Sequence, residues 1–312
     1  MKSAFLGIDT SNYTTSACIM SGEDFVSYKI PLFVKAGERG VRQSEAVFQH
    51  TKNMPSLFEN VFSLAREKFG GDITVEAVGV SERPRRVEGS YMPCFLAGVS
   101  SASSVSSAIN VPLYSFSHQE GHIRAAILGS GSDSGLSRFF SFHLSGGTCE
   151  LLKVFKDGFG YKTDIVCDSG DITLGQLLDR TGVMMGMQFP CGAELDAIAE
   201  KTGDLPRVSI KKSEHINLSG FENKVATMLE KGSTREEIAS FVFGVCVSAV
   251  RVMLSARDDE SLPVVFSGGV CSSKVLSKNV KSFCDARFAP AEFSADNAIG
   301  IASLIQEKFL SR

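Results

Sequence analysis

The chain opens twice in the same way, and that repetition limits the folds available to it. Ala4 to Ile8 is a short apolar run; the polar loop Asp9-Thr10-Ser11-Asn12-Tyr13-Thr14-Thr15 follows, and Ser16 to Met20 returns as a second apolar run. Arg138 to Leu144, the loop Ser145-Gly146-Gly147-Thr148 and Cys149 to Phe155 repeat that order. Two halves that each begin with a strand, a small polar loop and a returning strand predict duplicated α/β lobes. At 312 residues the chain exceeds the size that one hydrophobic core usually serves, so two domains are expected. The glycine- and serine-rich run Gly129 to Gly135 is the natural joint between them. The expected division is residues 1–130 and residues 136–312, with the last helix packing back on the first lobe.

Within the first half, Phe25 to Phe33 and Val75 to Val80 read as further strands. A helix is expected from about Ser44, interrupted near Pro55, because proline removes a backbone donor and crowds the preceding turn. The Ala-, Ser- and Gly-rich stretch from Pro93 to Asn110 suits a helix pressed against a sheet. Val111 to Phe116 is a strand that delivers a helix beginning at His118. In the second half, Thr163 to Cys167 is a strand, Leu174 to Gly186 a helix, and another helix starts at Ala193. Thr234-Arg235-Glu236-Glu237 is a capping box opening a helix, apolar nearly all round, to about Ala256, which predicts burial. Pro263 to Phe266 runs into Ser267-Gly268-Gly269-Val270, a glycine loop between strand and helix, and Asp296 stands near the start of the last helix.

Composition narrows function mainly by exclusion. With 43% hydrophobic and 21% charged residues the chain is an ordinary globular one. A net charge of -3 argues against a surface given over to nucleic acid, so any RNA contact must be local. Eight cysteines without a Cys-x-x-Cys pair read as reduced, buried thiols. The opening apolar run is too short for a signal peptide, and no later run is read as long enough for a membrane span. A cytoplasmic protein without membrane contact is therefore expected.

Several motifs carry chemistry, each beside an ordinary reading. His118 and His122 are two of only five histidines, and four residues apart on a helix they share one face, so both imidazoles can reach one metal ion. The same spacing also arises on ordinary amphipathic helices. A zinc-protease reading fails, because Gln119 stands where a glutamate is needed and Glu120 points elsewhere. Asp9 in the first loop can hold a cation or its water, with the loop hydroxyls and amides holding an anion, but an Asn- and Thr-rich hairpin turn looks the same. The Ser145 to Thr148 turn brings amides close to a phosphate or merely closes a hairpin. Arg83, Arg85 and Arg86 suit phosphate or RNA, although Glu82 and Glu88 flank them and a solvated, ion-paired loop fits equally. Asp296, by position, is a helix cap.

Taken in order, Gly7-Ile8-Asp9-Thr10-Ser11, His118-x-x-x-His122, Ser145-Gly146-Gly147, Asp179-Arg180 before Pro190-x-Gly192, Gly268-Gly269-Val270 and Asp296-Asn297-Ala298 resemble the tRNA threonylcarbamoyladenosine transferase family. That family was formerly described as O-sialoglycoprotein endopeptidases, or glycoproteases. The resemblance implies an α/β, actin-like ATPase fold of two ribonuclease H-like lobes around a cleft. It further implies that His118, His122 and Asp296 hold one divalent metal, iron or zinc, accompanied by magnesium and nucleotide. Asp9, Thr10 and Ser11 take the catalytic position. Leu144, Ser145, Gly146, Gly147, Thr148, Asp179, Gly192, Gly268, Gly269 and Ser273 face ATP or threonylcarbamoyl-AMP. The expected partners are tRNA, through Arg83, Arg85 and Arg86, and a homologous actin-like subunit in a homo- or heterodimer. The chain departs from the pattern where the first loop lacks the family's adjacent acids, where Thr148 replaces a histidine, where Cys191 replaces a glycine and where Ser273 replaces an asparagine. A noncatalytic nucleotide-binding partner of a true transferase is the alternative these departures suggest.

Overall fold

The computed structural model describes residues 2–11, 13–34, 41–132, 135–294 and 298–311. The chain gathers into two compact units. The first comprises Met1–Leu128, Lys156–Lys162 and Asp296–Arg312; the second comprises Gly129–Phe155 and Thr163–Ala295. The turn at Lys156–Lys162 and the C-terminal segment thus cluster with the first unit rather than with their neighbours in sequence.

The first half of the chain runs β1 (Lys2–Asp9), β2 (Thr14–Ser21), β3 (Asp24–Pro31), α1 (Gln43–Phe69), β4 (Ile73–Arg83), α2 (Phe95–Ile109), β5 (Leu113–Ser117) and α3 (His118–Gly129). Its sheet has the order β3-β2-β1-β4-β5. β2 is antiparallel to β1 and to β3, whereas β1, β4 and β5 run parallel. β1 is buried on both faces, which is why it reads as a continuous apolar run. Ala4, Leu6 and Ile8 pack with Met54, Leu57, Val61 and Ala65 of α1 and Ala102 of α2. Phe5, on the alternate face, meets the ring of Phe309 edge-on at 5.4 Å.

α1 continues without interruption through Pro55, contrary to the break expected there. Its buried stripe Ala46, His50, Met54, Leu57, Val61 and Ala65 lies on both sides of the proline, so packing holds the helix across the lost hydrogen bond. His50 is a core residue, its Nδ1 2.9 Å from Thr15 Oγ1.

The second half runs β6 (Arg138–Leu144), β7 (Cys149–Asp157), β8 (Gly160–Ser169), α4 (Leu174–Met184), α5 (Gly192–Ala199), β9 (His215–Ile216), α6 (Ser219–Glu230) and α7 (Arg235–Leu254). It closes with β10 (Val264–Ser267), a 3-10 turn (Gly269–Ser272), α8 (Lys274–Lys281), β11 (Ala286–Phe288), α9 (Ala291–Ser294) and α10 (Ala298–Leu310). The sheet order is β11-β10-β6-β7-β8-β9. Without the two-residue edge strand β9, this is the first sheet's order again, and β6, β10 and β11 are parallel as β1, β4 and β5 are. Phe142 stacks on Phe266 at 4.7 Å and Phe266 on Phe288 at 4.3 Å, tying those three strands together.

The capping box at Thr234 forms as expected: Glu237 N donates to Thr234 Oγ1 at 3.2 Å, and Thr234 N donates to Glu237 Oε2 at 2.9 Å. The helix it opens, α7, is long and apolar enough by length and composition to cross a membrane, a departure from the sequence reading that no run reaches that length. Of its most apolar window 67% is buried inside the structure, where Phe241, Val242, Val245, Cys246 and Val250 join the second unit's core. All eight cysteines are unbridged thiols, and all but Cys284 are buried.

Candidate functional site

Three parallel strands in the first unit end side by side. β1 finishes at Asp9, β4 reaches Ser81 beside it, and β5 gives way to α3 at His118, with Ile8 paired to Val80 and Ser81 to Phe116. Residues at the carboxyl ends of parallel strands face outward from the sheet, the usual place for a site in an open α/β fold. Asp9 is nevertheless 1% exposed. Its Oδ1 accepts from Ser11 N at 2.8 Å, its Oδ2 accepts from Ser81 Oγ, and His118 Nδ1 stands 3.0 Å from Oδ2. Burial works to raise the Asp9 pKa, but the charge and hydrogen bond of His118, with the bonds from Ser11 and Ser81, hold it below the usual carboxylate value.

His118 and His122 lie one turn apart on α3, ring centroids 4.6 Å from each other at 74°. The ring of Phe95 meets that of His118 edge-on, with centroids 6.1 Å apart. Two neighbouring imidazoles, one of them backed by a carboxylate, make a donor set suited to a borderline ion such as zinc or ferrous iron. A protein site for such an ion normally supplies at least three donors. Among the described residues no group of three His, Cys, Asp or Glu side chains is placed to hold a metal, and Asp296, expected to complete the set, lies outside them.

Thr10 and Ser11 are held by the fold. Thr10 Oγ1 donates to Cys94 O at 3.0 Å and accepts from Gly98 N at 3.2 Å, fastening the first loop to the start of α2. Ser11 is buried beside Asp9. Glu120 faces away from the histidines: its Oε2 accepts from Ser117 N at 2.8 Å and its Oε1 from Tyr161 N at 3.1 Å. Arg86 places Nη2 3.0 Å from Asp157 and Nη1 3.6 Å from Glu120. Arg83 pairs with Glu82, and Arg85 N donates to Ser90 Oγ at 3.0 Å. The ion-paired reading of this loop therefore describes Arg83 and Arg86.

Behind α3, Arg124 is buried with Nε donating to Ser303 Oγ at 2.8 Å and Nη1 3.0 Å from Glu307 Oε2, while Lys156 Nζ donates to Glu307 Oε1 at 2.6 Å. Sequence reading missed Ser81, Tyr161 and Arg124. Of these only Ser81 carried a signal, as the polar residue that ends an apolar strand.

In the second unit the glycine loops are built by close backbone approach. Ser145 N donates to Thr148 O at 2.7 Å, and Ser145 Oγ accepts from Gly147 N at 3.2 Å and Thr148 N at 3.0 Å, so these two amides are already used by the turn itself. Thr173 Oγ1 donates to Gly146 O at 3.1 Å, and Gln176 completes a capping box with Thr173 that the sequence reading overlooked. Gly268 has φ +97°, and a Cβ there would lie 2.3 Å from Leu144 O, so both conformation and space demand glycine. Gly146, Gly147 and Gly269 face open space.

Asp179 Oδ1 accepts from Cys191 N at 2.8 Å, fixing the turn before Gly192; burial raises its pKa despite that bond. Ser273 is the N-cap of α8: its Oγ accepts from Leu276 N at 3.0 Å and donates to Asp196 Oδ1. Asp196 also accepts from Lys274 N at 3.1 Å and Val275 N at 3.2 Å, so a buried carboxylate already occupies that helix end.

The repeated sheet places the chain in the actin-like ATPase fold class. It is similar to component A of the Acidaminococcus fermentans (R)-2-hydroxyglutaryl-CoA dehydratase, with a TM-score of 0.57 and 16% identity over 99% of both chains. The activator of the Clostridium difficile 2-hydroxyisocaproyl-CoA dehydratase is also similar, with a TM-score of 0.52, 15% identity and coverage of 99% of this chain and 97% of that one. At such identities these likenesses concern the fold alone.

The sequence narrows the class. The tRNA N6-adenosine threonylcarbamoyltransferase family model matches residues 27–303, and the chain belongs to that family, whose members are acyltransferase-type enzymes. The transferase of that name from Bacillus subtilis is 27% identical over 319 residues, covering 96% of this chain and 88% of that protein. Its counterpart from Campylobacter fetus is 27% identical over 319 residues, covering 95% and 90%.

Proposed function

We propose that this protein transfers a threonylcarbamoyl group from threonylcarbamoyl-AMP to the exocyclic amine of an adenosine in the tRNA anticodon loop. The observation that carries the reading is the gathering of Asp9, Ser81, His118 and His122 at the ends of β1, β4 and β5 in a chain of this family. His118 and His122 would hold one divalent metal, iron or zinc, with Asp296 as third ligand. When bound, the metal supplies positive charge to phosphate or carbonyl oxygens. The open glycines 146, 147 and 269 let the adenylate, or ATP with magnesium, approach the backbone of the second unit.

In the transfer, the adenosine nitrogen forms a bond to the carbamoyl carbon, the bond from that carbon to the AMP phosphate oxygen breaks, and AMP leaves with the electron pair. The attacking nitrogen releases its proton to solvent. Because AMP is already a good leaving group, orientation and charge stabilisation supply most of the rate. The test is a transfer assay with purified protein, radiolabelled threonylcarbamoyl-AMP and unmodified tRNA. Label should move onto tRNA with wild type and not with His118→Ala.

A second reading is favoured by one feature: the first loop carries no acid beyond Asp9, and Thr10 is committed to α2. On that reading the chain is a noncatalytic nucleotide-binding partner of a homologous actin-like subunit, and it binds adenylate without transfer in the same assay. Contact with tRNA is assigned to the loop that carries Arg83, Arg85 and Arg86. Arg85→Ala is expected to weaken tRNA binding and to lower the slope of log affinity against log salt by about 1. An unchanged slope returns the loop to a solvated role.

A further inference from the structure

We infer that Asp9 is a positioning residue, which fixes His118 as the Nδ1-protonated tautomer and so dedicates its Nε2 lone pair to a ligand-binding role. The inference rests on the metal reading of His118 and His122 for its purpose, but its geometry stands in the protein without metal.

An ionised carboxylate can only accept hydrogen bonds. Among the described residues, the hydrogen-bond partners of the Asp9 carboxylate can all donate: Ser11 N–H to Oδ1 at 2.8 Å, Ser81 O–H to Oδ2, and His118 Nδ1, 3.0 Å from the same Oδ2. Facing such an acceptor, Nδ1 must carry the proton. In its neutral form the imidazole has one protonated nitrogen, here Nδ1, so the lone pair of that form lies on Nε2.

Two features make Asp9 a poor ligand and a good orienter. It is 1% exposed, with both oxygens already bonded, so an incoming cation or nucleophile would have to displace partners that the fold supplies. It is also carried on a central strand: Asp9 pairs with Ser16 in β2, and the preceding Ile8 pairs with Val80 in β4, one residue before Ser81. Carboxylate, hydroxyl and imidazole are thus held by three neighbouring strand ends, which suits a group that must keep a ring at a fixed angle. A carboxylate behind a metal-binding imidazole fixes the ring and makes its other nitrogen more basic. On this inference Asp9 acts through His118 rather than on a substrate or a cation directly.

The experiment reads the tautomer directly. In metal-free protein with 15N-labelled histidine, long-range 1H–15N correlations distinguish Nδ1–H from Nε2–H, and the His118 signals are assigned by their loss in His118→Gln. Wild type should show the Nδ1–H form; an Nε2–H form in wild type overturns the inference without any variant. Asp9→Asn, which can turn its amide N–H toward the ring, should lose the single Nδ1–H form and bind zinc roughly 10- to 100-fold more weakly in a competition titration. Ser81→Ala keeps the carboxylate and should keep the tautomer. An Asp9→Asn protein that folds and retains both wild-type tautomer and zinc affinity overturns the assignment. Wild type showing Nδ1–H but binding no zinc overturns the metal reading and leaves the orientation of His118 by Asp9 standing.

Discussion

His118→Ala/His122→Ala protein is expected to stay folded, to bind no stoichiometric zinc or ferrous iron, and to lose transfer activity by at least about 100-fold. That factor corresponds to a barrier roughly 3 kcal/mol higher, within the several kcal/mol a metal ion contributes through charge stabilisation. Folding should survive because α3 keeps its packing residues Ile123, Ala125, Ala126 and Ile127, all buried and untouched by the substitutions. Replacing two partly packed imidazoles should cost about 1–3 kcal/mol of stability. Metal content by elemental analysis and the unfolding midpoint check the two halves of this statement separately. Full metal stoichiometry in the double variant would end the assignment of these ligands, whatever the activity.

Gly300→Ala is expected to be among the most damaging single-methyl additions in the chain. A Cβ at Gly300 would lie 1.9 Å from Gly121 O, 2.7 Å from Gly121 C and 3.0 Å from Ala125 N, all backbone atoms of α3. No side chain can swing away, so α3 and α10 must separate. Over-packing of this kind typically costs about 1–3 kcal/mol, and more where backbone cannot yield. Because α3 carries both histidines, zinc affinity should fall along with the denaturation midpoint. Gly220→Ala in α6 is the matched control, since nothing lies within 4 Å of a Cβ there. Inside a helix that change should be neutral or stabilising by up to about 1 kcal/mol. Equal midpoints for the two variants would refute the close-contact argument.

The architecture was legible in the sequence wherever local pattern decides structure. The duplicated opening, the apolar strands on either side of it, the helix at His118 and the capping box at Thr234 all depend on residues within one element or its immediate turn. Pro55 misled because α1 is held by a buried stripe on both sides of it, a tertiary effect that proline's local cost does not reveal. The surroundings of the site were hidden for a related reason. Asp9 meets His118 across 109 positions and Ser81 across 72, so their bond exists only once β1, β4 and β5 are in register. Glu120 could be read as pointing away from the metal face, but not that Tyr161 N, 41 residues on, would hold it. Nor does a Ser-Gly-Gly-Thr string reveal that Ser145 takes up two of its own loop amides, or that Ser273 caps α8 against Asp196.

The shared strand order gives each strand of the first sheet a counterpart in the second. Counted by strand, Asp9 and Leu144 hold the same station, the last residue of the first strand, and a short polar loop follows each in the sequence. One copy ends its strand in a carboxylate that takes hold of an imidazole; the other ends in an apolar residue whose carbonyl admits only glycine beside it. At the same station the two sheets therefore differ in charge: one loop opens on a buried carboxylate, while the other sets, between a serine and a threonine, two glycines that face open space.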